Sequence, residues 1–362
     1  SVTCWHQYCT TSLPFKTQNM NYLRFKPILI TIISLVIAFT IYMDPLMVRK
    51  IRFEQKQITE MIPGENTPIN ITLVMAYYNL GNITKWYGNK TRTKNHYFEW
   101  MEFYQWVRNP MVVYSDDVEF LNKMRNLRQN MSERTEYFLL QPGEPRWALS
   151  LLPAIEEIFS DPNYPKFSPE TVVPKYSCIM HAKYELLTQT IQRNPFLTPY
   201  FAWCDAGLYR LVKTTGKYYY VTLPPKFDDT RVAYSQVNPL NEWYSQMDII
   251  KKPWVWLAGG FFVGRGHILI QLAEQYKYFT EMFIQNKTMG SDEQVLYMMY
   301  LHNNRPKTTV GLQLYWSNYL CDVSFHLALL SIRHLCEFKT FILMGKTIFP
   351  TTKPQYYLNA TS

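Results

Sequence analysis

The chain has 362 residues, 47% of them apolar and 16% aromatic, with a charged fraction of 18% and a formal net charge of +9. Disorder needs low hydrophobicity and high charge, and collagen-like chains need periodic glycine, so both classes are excluded. The basic residues are dispersed rather than clustered, which argues against a nucleic-acid partner and leaves a general affinity for anionic groups.

The first landmark is the uncharged run Pro27 to Met43. Its length reaches the lower bound for a membrane-spanning helix, roughly 17 residues. Residues 1–26 carry Lys16, Arg24 and Lys26 with no acid, a charge of +3. Residues 44–60 carry Arg49, Lys50, Arg52 and Lys56 against Asp44, Glu54 and Glu60, a charge of +1. The positive-inside bias therefore predicts a cytosolic tail at 1–26, a transmembrane signal anchor at 27–43 and a luminal remainder in the Golgi or the endoplasmic reticulum. A cleaved signal peptide and a buried soluble helix are the alternatives. The first is disfavoured by the poor cleavage site at Tyr42-Met43-Asp44-Pro45. Six Asn-x-Ser/Thr sequons, at Asn70, Asn82, Asn89, Asn130, Asn286 and Asn359, all follow the apolar run and suit N-glycosylation in a lumen.

Residues 44–68 are polar and read as a stem. From residue 69 the chain reads as one α/β domain reaching about residue 320. The expected strands are 69–78, 111–114, 135–140, 201–204 and 254–257, the last entering a glycine-rich turn at 258–264. The expected helices are 96–107, 118–130, 149–159, 178–193, 268–283 and 291–300. Alternation of strands and helices predicts a mostly parallel mixed sheet with flanking helices. Residues 321–362 follow no clear pattern.

In open α/β sheets ligands bind at the carboxyl ends of strands, where Asp116/Asp117, Asp205 and Asp292/Glu293 fall. Asp205 is the sharpest, because an apolar strand delivers it to Ala206 and Gly207, and small neighbours let a ligand approach the backbone. Such a carboxylate can hold a divalent ion and, through it, a diphosphate; otherwise it is a turn or N-cap aspartate. Ala258, Gly259 and Gly260 suggest either a ligand-lined backbone or a bulge. Asp292 either caps a helix or acts as a base toward a hydroxyl. Lys183 and Arg210 are candidate phosphate contacts and His181 a candidate base. Cys178 and Cys204 read as buried or bridged, with one or two disulfides open among Cys178, Cys204, Cys321 and Cys336. GxGxxG, Walker A, GxSxG and HExxH are all absent.

In order, the segments TLVMAYYNLG, YFEWMEFYQWVRNPMVVYSDD, PKYSCIMHAKYELLTQTIQRNPF, YFAWCDAGLYR, WLAGGFFVGR and GSDEQVLYMMY resemble the HtrL/YibB family over about residues 69–300. More distantly, the order strand–Asp-Ala, Ala-Gly-Gly-Phe-Phe, Asp-Glu-Gln is similar to GT-A glycosyltransferases. That likeness implies a GT-A-like fold and transfer of sugar from a nucleotide-sugar to a glycan or glycoprotein acceptor. It implies catalytic roles for Asp205 and Asp292, with Asp205 as metal and diphosphate residue and Asp292 as base. It further implies that Ala76 and Tyr77 face the nucleotide base, that Ala258, Gly259 and Gly260 line the donor sugar and that Gln294 lies beside Asp292; with the phosphate candidates Lys183 and Arg210 these make the expected donor site, with Mn2+ or Mg2+ as cofactor. Where GT-A enzymes have Asp-x-Asp, this chain has Gly207 in the third position. A single carboxylate lowers metal affinity, making Arg210 or Lys183 alternative cations. It also keeps open a non-catalytic protein on the same scaffold, or a different phosphate-ester or metal-dependent enzyme with Asp116, Asp117 or His181 beside Asp205.

Overall fold

The computed structural model describes residues 71–85, 90–210, 218–224, 226–316 and 357–358. The expected anchor, tail and stem, the sequons at Asn70, Asn89 and Asn359, and Cys4, Cys9, Cys321 and Cys336 lie outside these residues. Among the described residues no helix is long and apolar enough to cross a membrane.

The strands are Ile71–Tyr77 (β1), Ile83–Thr84 (β2), Thr91–Arg92 (β3), Met111–Ser115 (β4), Thr135–Leu139 (β5), Tyr200–Cys204 (β6), Arg231–Gln236 (β7), Leu257–Arg265 (β8), Gly311–Trp316 (β9) and Tyr357–Leu358 (β10). The α-helices are Lys94–Trp100 (α1), Val118–Leu127 (α2), Trp147–Ser150 (α3), Leu152–Ser160 (α4), Pro174–Arg193 (α5), Gln246–Lys251 (α6), Gly266–Gln285 (α7) and Asp292–Met299 (α8). One sheet takes the order β10-β9-β7-β8-β6-β1-β4-β5, and β2 and β3 form a separate hairpin. β1 is parallel to β4 and β6, β4 to β5, and β7 to β9. β8 runs antiparallel to both β6 and β7. The expected mixed, mostly parallel α/β architecture is therefore present.

Side chains alternate across each strand, so β1 feeds two layers. Leu73, Met75 and Tyr77 pack with Phe120 and Met124, whereas Val74 packs with Trp203, Leu187 and Leu272 under α5 and α7. Burial on both faces is what a near-continuous apolar strand requires.

The reversal of β8 sets up the site. Parallel neighbours bring their carboxyl ends to one edge, and an antiparallel strand brings its amino end there. Cys204 consequently lies opposite Phe261, and the amide of Asp205 donates to the Gly260 carbonyl at 2.9 Å.

Several expectations are corrected. The strand at 254–257 and its glycine turn are instead one nine-residue strand starting at Leu257. Ladder bonds from β6 and β7 on either side offset glycine's poor strand preference. The helix at 96–107 is α1 followed by a 3-10 segment, Met101–Trp106. There the buried Arg128 guanidinium donates to the carbonyls of Tyr104, Val107 and Asn109, drawing the chain out of α geometry. The helix at 149–159 is two pieces, because Pro153 begins a second one. β7, α6 and β9 have no counterpart in the sequence reading. Gln313 hides β9: it is fully buried mid-strand, with its amide bonded to Lys226 and Asp228 backbone. Cys178 and Cys204 are buried free thiols, so neither takes part in the bridges left open above.

Candidate functional site

α5 begins with Pro174 at its first turn and ends at Asn194, a left-handed C-cap whose amide bonds to Thr190. This long helix carries Lys183 beneath the sheet edge. Lys183 is 2% exposed, and its Nζ lies 2.8 Å from Asp292 Oδ2 and 3.6 Å from Asp205 Oδ1. The same ammonium donates to the Gly259 carbonyl at 2.8 Å. Both acidic stretches and the glycine stretch singled out in the sequence thus converge on one cation.

Asp205 and Asp292 differ in access. The Asp292 side chain is 5% exposed, whereas that of Asp205 is 41% exposed. Trp203 Nε1–H donates to Asp205 Oδ1 at 2.6 Å, and the Tyr104 hydroxyl donates to the Asp205 carbonyl at 2.9 Å. These bonds fix the loop and turn one face of the carboxylate to solvent. Glu293, half-buried, accepts from the Gly259 amide at 2.9 Å. Gly259 has no room for a side chain: a Cβ would stand 2.5 Å from Asp292 Oδ2. At Gly260 it would stand 3.6 Å from Asp205 Oδ2, an ordinary contact.

Burial alone would push the Lys183 ammonium down, but the Asp205 and Asp292 carboxylates outweigh it and hold the group above the usual lysine range. Burial pushes Asp292 above the usual carboxylate range, with Lys183 offsetting part of the effect. Asp205 and Asp292 thus share the one ammonium.

The remaining candidates fall as follows. Trp203 pairs with Val74 across β6 and β1, which brings Ala76 level with Asp205. Tyr77 points to the opposite layer, stacked on Phe120 at 4.3 Å; Tyr78, not Tyr77, shares the face of Ala76. Ala258 is buried at the start of β8. Gln294 is occupied structurally: its Oε1 accepts from the Ser291 amide and its Nε2 donates to the Ile249 carbonyl. Asp292 therefore does not cap its helix, leaving its carboxylate for Lys183. Arg210 Nη1 donates to the Gly207 carbonyl. His181 sits between Tyr276 and Ser177, and burial pushes it down to about 3, so it stays a neutral packing residue. Asp116 accepts from the Asn79 amide, and Asp117 caps α2 and pairs with Lys94. Trp203 and Tyr104 are not among the expected site residues, whereas Glu293 stands in the expected Asp292/Glu293 pair without an assigned role. Trp203 was legible, since positions two apart on a strand share a face.

A divalent ion fits this donor set poorly. Among the described residues no group of three or more His, Cys, Asp or Glu side chains could hold one. Lys183 engages Asp292 and one Asp205 oxygen, leaving Asp205 Oδ2 as the accessible carboxylate oxygen. A separate cleft of about 460 Å³, lined by Trp106, Arg108, Lys123, Asn130 and Tyr218 among others, contains none of these residues.

Fold and site define a mixed α/β protein with two aspartates sharing a buried lysine at the carboxyl ends of its parallel strands. The profile described as "Bacterial protein of unknown function (HtrL_YibB)" matches residues 69–311, and the chain belongs to that family. No curated protein matches it. Among solved structures it is similar to core-mannan synthase A (CmsA/Ktr4) from Aspergillus fumigatus in an Mn/GDP form. That match has 10% identity and a TM-score of 0.38, covering 78% of this chain and 87% of that one. It is also similar to the mannosyltransferase Ktr4p from S. cerevisiae, with 11% identity, a TM-score of 0.35, and coverage of 69% and 70%. A glycosyltransferase involved in glycosylation of the major capsid of PBCV-1 matches with 8% identity and a TM-score of 0.30, covering 68% and 80%.

Proposed function

We propose that this chain is a type II, membrane-anchored glycosyltransferase of the Golgi or endoplasmic reticulum, moving a sugar from a nucleotide-sugar to a glycan or glycoprotein hydroxyl. The observation that carries the reading is Asp205: a half-exposed carboxylate held by Trp203 and flanked by Gly260 at the carboxyl edge of the sheet. Its free oxygen is an acceptor for a sugar hydroxyl, and Gly260 beside it, with no side chain of its own, lets a sugar approach the backbone there. Positioning of donor and acceptor in one hollow supplies the rate, and Asp205 is the base for an attacking hydroxyl. Asp292 is a positioning residue in this reading, because burial and Lys183 remove it from contact with substrate. The uncharged run at 27–43 and the exposure of Asn82, Asn130 and Asn286 support the luminal placement.

One observation favours the non-catalytic alternative: the carboxylate expected as base, Asp292, is sequestered. Full-length protein purified in detergent and incubated with a panel of UDP- and GDP-sugars decides between them. Release of nucleoside diphosphate from at least one donor, lost in Asp205→Asn, is the expected result. Absence of both turnover and thermal stabilisation across the panel would sink the transferase reading.

A further inference from the structure

We infer that Lys183 is the resident cation of this site, standing where a divalent ion would stand, so that the site operates without one. This deepens the transferase reading by naming its cofactor requirement, but the test reads metal binding and unfolding rather than transfer.

The argument rests on what surrounds the ammonium. Asp292 Oδ2, the Gly259 carbonyl and Asp205 Oδ1 lie at 2.8, 2.8 and 3.6 Å from Nζ. Two carboxylate oxygens and a backbone carbonyl form an oxygen set of the kind hard divalent cations take, at distances stretched to suit an ammonium. Those oxygens come from three separate elements, the loop that follows β6, β8 and α8, and no other basic side chain reaches them in an ion pair among the described residues. Lys183 is covered on its remaining side by the Trp203 ring, 5.5 Å from Nζ, so the charge is fixed rather than mobile. Gly259 keeps the arrangement tight, since any side chain there would strike Asp292. An ion entering alongside would meet a buried positive charge and find Asp205 Oδ2 as the one carboxylate oxygen of the pair still open to it. Of the two basic residues the sequence offered for this part, Arg210 is turned to the Gly207 carbonyl, and Lys183 alone occupies the position between the acids.

Removing the ammonium should convert the place into a metal site. The experiment measures thermal unfolding and Mn2+ electron paramagnetic resonance of the full-length protein in EDTA and in millimolar MnCl2. Wild type should unfold at the same temperature in both and leave the Mn2+ signal that of the free ion. Lys183→Ala should unfold lower in EDTA, recover in MnCl2 and immobilise Mn2+; Lys183→Ala/Asp205→Asn should lose that recovery. A Mn2+-dependent shift in wild type that Asp205→Asn abolishes would overturn the inference. So would a Lys183→Ala protein that Mn2+ neither stabilises nor refolds.

Discussion

Lys183 and Asp292 form a buried ion pair, 2.8 Å apart with side chains 2% and 5% exposed, that ties the middle of α5 to the first turn of α8. A buried pair is weak evidence of net stabilisation, yet breaking it from one side is costly because the other charge is stranded. Lys183→Met should therefore lose about 3–5 kcal/mol in equilibrium unfolding. Lys183→Met/Asp292→Leu should recover most of that loss. If the double variant is as unstable as the single one, the pair is not what couples the two helices.

The glycines of β8 should respond differently to alanine. At Gly259 the new methyl would sit 2.5 Å from Asp292 Oδ2 and 2.9 Å from Glu293 Cγ, so one must move. Overpacking of that kind costs about 1–3 kcal/mol. At Gly260 the nearest atoms are 3.6 and 3.7 Å away, and alanine in a strand should be neutral or better by up to about 1 kcal/mol. Chemical denaturation of the two variants side by side checks the contrast; equal losses would refute the assigned packing.

Much of this arrangement was legible because local pattern and global fold agree. The apolar run of β1 and the delivery of Asp205 by Phe201-Ala202-Trp203-Cys204 stand in the structure as read. What escaped reading depends on partners distant in sequence. β8 looked like a turn because its glycines disguise a strand paired on both edges. β9 was hidden by Gln313, whose amide is satisfied by a loop more than eighty residues earlier. The GT-A likeness puts Tyr77 at the site together with Ala76, whereas strand alternation sends it to the other layer. The sequestration of Asp292 could not be read from its own neighbourhood, since Lys183 lies on another helix.

His181 predicts a pH dependence. Burial pushes it from 6.5 down to about 3, so the folded chain holds it neutral while the unfolded chain takes a proton below about 6.5. Its contribution is complete above 6.5 and is lost as pH falls toward 3. Within that window the wild type should lose stability more steeply than His181→Gln by up to about 1.4 kcal/mol per pH unit. Parallel stability–pH curves for the two proteins would show that His181 titrates normally.

The three described sequons make the luminal assignment testable. Asn82, Asn130 and Asn286 are all exposed, so an oligosaccharide can be attached without disturbing the core. Expressed through a eukaryotic secretory pathway, the full chain should shift to lower apparent mass on N-glycanase treatment. Each Asn→Gln change should remove one step of that shift. A chain whose mobility the enzyme leaves unchanged would place this domain on the cytosolic side.

Asp205 and Asp292 should separate ligand handling from stability. Asp205→Asn keeps an oxygen for Trp203 Nε1–H, and its half-exposed position makes the pairing with Lys183 weakly stabilising, so unfolding should change by less than about 1 kcal/mol. Nucleotide-sugar turnover should nevertheless fall by at least about 100-fold if Asp205 is the base, the usual scale of general-base catalysis. Asp292→Asn leaves the buried ammonium with a weaker partner and should lower stability by more than Asp205→Asn does. Its effect on turnover should appear as displaced geometry, a change in both kcat and KM, rather than loss of a titrating group from the pH profile. If instead Asp292→Asn removes the acid limb of that profile while Asp205→Asn leaves it intact, the base is the buried carboxylate and the roles assigned to the two residues are reversed.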